Sequence, residues 1–396
     1  MTHDTNIPQG YKATALGIIP QEWEVRPLNY LGAICSGGTP DTEVAEYWNG
    51  DIAWCTPSDI TKLDTKYIES TEVKITAKGL KESSATLLPP RSIVVCTRAT
   101  IGNAAICNTE IATNQGFKNI IPNEKTNPEW LYYIIIYSKP RLVRFGCGST
   151  FLEVSKKDFS RFKIAVPPLA EQRKIAEVLS VWDEAIEKQA RLIEKLALRK
   201  RALMQRLLSA KLRLPGFSEP WKKVKLGDVA ELYQPQTIQS EDLSQTGYPV
   251  YGANGLIGYY NNYNHEYPQV VITCRGSSCG TVNFTPGKCW ITGNAMVLNV
   301  DNNRDVNKSF FYYLISNSSF VNLISGSGQP QIVRQPLLKF ELRIPPLKEQ
   351  TAIAEVLTAA DREIDLAKEK LERLRRQKRG LMQQLLTGKK RVKYGN

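Results

Sequence analysis

Few side chains in this sequence are spaced to make or break bonds. There are two histidines, His3 and His265, too few for a His-centred triad or a His-rich metal site in both halves. Eight cysteines, Cys35, Cys55, Cys96, Cys107, Cys147, Cys274, Cys279 and Cys289, include no CxxC pair. Zinc ligands come as tight, matched pairs, so no metal is assigned. Strand-like surroundings such as Ile93-Val94-Val95-Cys96 suit small buried residues in a reducing cytoplasm. Pro40-Asp41 with Glu72-Val73-Lys74 mimics a nuclease carboxylate–lysine set for Mg²⁺, but the second half has no counterpart. No Gly-x-x-x-x-Gly-Lys-Ser/Thr loop is present to cradle phosphates. Nor is there an Asn-Pro-Pro-Tyr or Asp-Pro-Pro-Tyr, with which amino-methyltransferases hold an extruded base. No catalytic residue is assigned, and the chain reads as a binding protein, not an enzyme.

The elements that present its polar side chains are set by an internal repeat. Residues 166–209 align without gaps on residues 344–387, at an offset of 178, with 21 identities in 44 pairs. Both copies open Pro-Pro-Leu-x-Glu-Gln, at Pro167 and Pro345, and both close Leu-Met-Gln-x-Leu-Leu, at Leu203 and Leu381. The proline pair gives a stiff start, the glutamate suits a helix N-terminus, and no proline interrupts either copy. Apolar residues recur every four and three positions. They are Ile175, Leu179, Trp182, Ile186, Ile193, Leu196, Leu203 and Leu207, then Ile353, Leu357, Ile364, Leu371, Leu374, Leu381 and Leu385. This spacing predicts two long helices, each about 60 Å, that pair along a coiled-coil seam. Acid-rich first halves and basic second halves favour antiparallel pairing. Lys200 and Lys378 interrupt the seam at the same place. They either fix its register or lie along it with a buried stem and a solvated head.

The text between the helices is rich in Gly, Asn, Thr and aromatics, with short strand-like runs. Its two stretches echo each other. Each has an Arg–small–Gly loop, from Arg98 to Gly102 and from Arg275 to Gly280, and then an Asn, Asn114 or Asn294. Each has an aromatic helical run from Trp130 or Phe310, and a Gly-Ser loop, 146–150 or 326–331. The expected organisation is therefore a globule over 1–168, a helix over 169–214, a globule over 215–346, and a helix with a basic tail over 347–396. The fold class is α+β and pseudo-two-fold symmetric.

Duplicated Pro-Pro-Leu-x-Glu-Gln-x-x-Ile-Ala-x-x-Leu helices, each ending Leu-Met-x-x-Leu-Leu, resemble the specificity subunit of type I DNA restriction-modification systems. Leu16-Gly17-Ile18-Ile19-Pro20-Gln21-Glu22-Trp23 is similar to the lead-in to that family's first target-recognition domain. Leu214-Pro215-Gly216-Phe217 with Trp221 is similar to the lead-in to the second. Gly37-Gly38-Thr39-Pro40 and Glu46-Tyr47-Trp48 are shared with one group of its recognition domains, whereas the second globule has Gln234-Pro235-Gln236 instead. The resemblance implies that each globule reads one half of a split, asymmetric double-stranded DNA target. It implies helices that set the spacing and dock two modification subunits, which methylate adenine with S-adenosylmethionine. It also implies restriction subunits with ATP- and Mg-dependent translocase and nuclease activity, and no cofactor in this chain. The competing class is a coiled-coil adaptor that presents two ligand-binding globules to protein partners.

A loop-rich reader works with side chains that match base edges. Arg forks onto guanine, and Asn or Gln pairs with adenine. Arg98 and Arg275 lead the expected contacts, followed by Asn114, Gln115, Asn294, Gln329 and Gln331. Thr39, Thr56, Ser58 and Ser149 are expected phosphate contacts. The structural alternatives are that Arg98 ties its own loop together and that Asn114 caps a turn.

The net charge is +13, from 52 Lys and Arg against 39 Asp and Glu, and it points to an anionic partner. Residues 170–214 carry +5, residues 342–396 carry +7 and the rest only +1. A nearly neutral reader makes few phosphate contacts of its own. No apolar run approaches the length of a membrane span and no secretory signal is visible, so a cytoplasmic location without membrane contact is expected.

Overall fold

A computed structural model describes residues 7–146, 152–252, 255–326 and 328–393. The chain forms two compact units that do not follow chain order. One comprises Met1–Arg191 and Glu369–Asn396, the other Leu192–Lys368. Both long helices are present, Leu169–Leu207 and Leu347–Leu386, and each contributes one half to each unit.

In the first unit a five-stranded sheet runs in the order Gly32–Ser36, Phe117–Pro122, Ile93–Cys96, Ala104–Cys107, Tyr67–Ile68. The central strand Ile93–Cys96 is wholly buried, so its Ile-Val-Val-Cys text has no polar alternation. Helix Pro128–Phe145 covers this sheet. It starts where the Asn127 side chain accepts the Trp130 N–H at 2.8 Å, with Pro128 just inside. Trp23, Trp130, Tyr133, Phe159 and Phe162 fill the core.

A smaller sheet lies beside it. Ile111–Thr113 pairs in parallel with Trp48–Cys55, so Thr113 faces Cys55. This register brings the start of helix Pro57–Thr61 and the turn 114–116 side by side.

The second unit repeats the plan with fewer strands. Its main sheet runs Glu231–Tyr233, Ala295–Asn299, Val270–Thr273, Val282–Phe284. Helix Lys308–Ser316 is capped by Asn307, which accepts the Phe310 N–H at 3.0 Å. The smaller sheet pairs Tyr248–Gly252 in parallel with Trp290–Ile291.

Within each unit the two helix halves run antiparallel, as the charge pattern predicts. In the first unit Glu171 meets Arg391 and Asp183 meets Lys378. In the second, Glu349 meets Arg213, Asp361 meets Lys200 and Glu363 meets Arg199. Every predicted seam residue is buried or half-buried. Leu196, Ile364 and Ala367 form a small apolar cluster between the halves in the second unit.

The seam lysines are not solvated. Lys378 bonds Asp183 and lies 5.1 Å from the Tyr133 ring centre, and Lys200 bonds Asp361 and lies 5.3 Å from that of Tyr313. The tyrosine hydroxyls donate to the same two aspartates. One polar knot thus ties helix, helix and globule in each unit, and burial together with the adjacent carboxylate holds both phenols un-ionised.

A second device also recurs. The indole N–H of Trp23 donates to Glu171 at 2.8 Å, and that of Trp221 to Glu349 at 3.3 Å. Gln172 and Gln350 accept the backbone N–H of Asn127 and Asn307, each at 2.9 Å. The Pro-Pro-Leu-x-Glu-Gln motif is therefore the anchor of each globule on the helix that follows it.

Candidate nucleic-acid interface

Both expected arginines sit at the same structural position. Strand Ile93–Cys96 runs on to Thr97, whose carbonyl accepts the Val154 N–H at 3.1 Å, so that Arg98 lies across from Glu153. In the second unit the Cys274 carbonyl accepts the Ile332 N–H at 2.9 Å, and Arg275 lies across from Gln331. The next residue turns the chain away with a positive φ, 55° at Ala99 and 88° at Gly276. The turn leaves each arginine side chain exposed at the sheet end.

Their surroundings differ. Arg98 Nε bonds Glu153 Oε2 at 2.7 Å, and Lys118 Nζ reaches the other oxygen at 3.3 Å. The Lys118 side chain is only 8% exposed. Burial acts to raise the Glu153 pKa, but Arg98 and Lys118 outweigh it and hold the carboxyl below its ordinary range. So Arg98 is partly engaged in tying its own loop. Arg98 and Glu153 also line an open cleft of about 870 Å³ together with Lys139. Among the described residues Arg275 has no ion pair.

The amides divide. Gln115, Asn294, Gln329 and Gln331 are exposed. Asn114 is half-buried and accepts the Gly116 N–H at 2.9 Å, so it closes a turn. The two asparagines that look alike in sequence are not equivalent in space. Gly116 and Asn294 hold the same place, since their carbonyls accept the N–H of Thr97 and Cys274. Asn114 corresponds to Thr292, both N–H groups donating to the strand opposite, at Cys55 and Tyr251.

Of the expected phosphate contacts, Ser58 is exposed and Thr39 half-buried, its hydroxyl on the Gln115 side-chain oxygen. Thr56 caps helix Pro57–Thr61 with Asp59, whose carboxylate takes the Thr56 N–H at 2.7 Å and the hydroxyl at 2.6 Å. Ser149 lies outside the described residues. Gly37 and Gly38 are required by close approach, since a Cβ on Gly37 would stand 1.9 Å from the Asn114 carbonyl oxygen. The Trp54 indole holds the Gly38 carbonyl at 2.9 Å. In the second unit Gln234 donates to the Gly293 carbonyl at 2.9 Å, so Gln234-Pro235-Gln236 lies against the equivalent turn.

Thr39, Gln115, Ser58, Arg98 and Glu153 are thus carried by neighbouring segments of the first unit, and Asn294, Arg275 and Gln331 by those of the second. Glu153 and Lys118 do not stand out in the sequence. The one available signal is that Glu153 stands just after the Gly-Ser text of the first half and Gln331 at the end of that of the second. Burial pushes the thiols of Cys96 and Cys274 up to about 11. No His/Cys/Asp/Glu cluster among the described residues could hold a metal, and no described helix is long and apolar enough to cross a membrane.

A DNA specificity module, present twice, is the class that this geometry defines. The family model for the type I restriction modification DNA specificity domain matches residues 20–197 and again 218–376. The chain belongs to this family.

Relatives agree. The MjaIX specificity subunit of Methanocaldococcus jannaschii is 40% identical over 193 residues, which is 48% of this chain and 45% of that one. The MjaVIII specificity subunit of the same organism is 24% identical across 96% of this chain and 95% of its own. The crystal structure of the type I restriction-modification S subunit from M. genitalium matches with a TM-score of 0.58 at 17% identity, covering 98% of each chain. A chain from a study of type I complex assembly and conformational transition matches with a TM-score of 0.62 at 20% identity, over 93% of this chain and 99% of that one.

Proposed function

We propose that this chain is the sequence-recognition subunit of a type I restriction-modification complex, each unit reading one half of a split DNA target. One observation carries this reading. The same arginine-bearing edge is built twice on one frame, Arg98 facing Glu153 and Arg275 facing Gln331. A repeated frame with different side chains at the reading edge is what an asymmetric bipartite target requires. The chain itself performs no bond-making step. Two modification subunits using S-adenosylmethionine act on adenines, and restriction subunits using ATP and Mg²⁺ join them, all in the cytoplasm.

The test is methylome sequencing of a host carrying the complete system, with and without this chain. A single bipartite methylated motif that disappears with the chain is expected. An unchanged methylome, with the chain captured only by proteins, would replace this reading with the coiled-coil adaptor.

A further inference from the structure

We propose that Glu153 is the specificity-determining positioning residue of the first unit. In this role it clamps Arg98 so that its free fork reads a guanine, while Gln331 leaves Arg275 unclamped. The inference rests on the DNA-reading function above. It begins from the register shared by the two units. Glu153 and Gln331 occupy one position, and so do Lys118 and Met296, which face Val95 and Ile272 across equivalent strands. The first unit therefore carries a Lys–Glu pair where the second carries Met and Gln. The pair is not needed to build the edge, because the second unit builds the same backbone bridge without it.

What the pair changes is the arginine. Glu153 Oε2 stands 2.7 Å from Nε as an ion pair, on the Nε side of a guanidinium whose two terminal nitrogens carry four N–H donors. Among the described residues no acceptor engages these terminal nitrogens. A guanidinium paired on its Nε side presents a planar fork, matched to guanine O6 and N7. Restraining it before binding reduces the entropy lost on contact. Lys118 offsets the carboxylate's charge, so the cluster keeps a net positive charge toward DNA. Arg275 can instead swing between base and phosphate, with the exposed amide of Gln331 beside it. The second unit's arginine is thus the less discriminating of the two.

The experiment uses the complete system in its host, read by methylome sequencing. Glu153→Gln alone strands the buried Lys118, so it is paired with Lys118→Met/Glu153→Gln, which imports the second unit's own solution. Both variants should relax one guanine position by roughly 5- to 150-fold in preference, the worth of one bidentate contact. The other positions of that half-site, and the other half-site, should stay unchanged. Gln331→Glu, at an exposed position, should sharpen one position of the second half-site toward guanine. A double variant that keeps the wild-type motif, or that weakens methylation uniformly, overturns the proposal, as does a Gln331→Glu variant with no positional effect. If the wild-type system methylates no bipartite motif at all, the DNA-reading function itself fails, which is a separate result.

Discussion

Asp183 serves two cations and a phenol: it bonds Lys378 and the Tyr133 hydroxyl, and Lys66 lies 3.7 Å away. Asp361, its counterpart, has Lys200 at 2.5 Å and the Tyr313 hydroxyl at 2.7 Å, with no second cation among the described residues. Lys66 is held by burial, which lowers its pKa although Asp183 pulls the other way, and it donates to Tyr133 and Ser180 at 2.9 and 2.7 Å. The two knots therefore fail differently. Lys200→Met leaves Asp361, a third exposed, with only the Tyr313 hydroxyl and should cost roughly 1–2 kcal/mol. Lys378→Met leaves Asp183 with Lys66 and should cost less, by about 0.5–1 kcal/mol. Urea denaturation of each variant measures this, and equal losses would deny Lys66 its role as reserve partner.

At the scale of elements, the proposed function gives separation to the long helices and readout to the turns. Both helices pass from one unit to the other, near residue 191 in the first and 369 in the second. Inserting seven residues at both places keeps the seam in phase and adds about 10 Å, roughly three base pairs of DNA. The gap in the methylated motif should lengthen while both half-sites keep their bases. A changed half-site with an unchanged gap would refute the spacer role. These helices were legible in the sequence because their information is local, a gapless repeat with a heptad rhythm. The reading edge was legible only in part. Arg98 and Arg275 stand out beside their glycines, but Glu153 reaches Arg98 across 55 residues, by a pairing that no local pattern encodes. Asn114 and Asn294 match as letters yet differ by two positions in register, because only strand pairing aligns the turns.

For the molecule as a whole, the excess charge lies on the helices and tail, where part of it is already paired. Of the basic residues in the helices and tail, Lys200, Arg199, Lys378, Arg213 and Arg391 are paired with carboxylates. The Arg98 site is likewise partly neutralised by Glu153. The rest of the chain, which includes both arginine-bearing edges, carries a net charge of only +1, so it releases few counterions from DNA. The isolated chain should therefore bind DNA weakly at physiological salt and gain tight, specific binding only with its modification subunits. Fluorescence anisotropy on target and scrambled duplexes checks this, and tight specific binding by the chain alone would contradict it.

Glu171 opens the first long helix, and its Arg391 partner lies 220 residues later. During synthesis, at about 5–20 residues per second, roughly 10–40 s separate the two. For that interval a carboxylate made to be buried against Trp23 waits without its guanidinium. The unit that leaves the ribosome first is the one that closes last, while Glu349 meets an Arg213 made well before it. The second unit can be complete while the first is still open. A chaperone or a partner subunit that engages the nascent protein would meet it with its first unit unfinished.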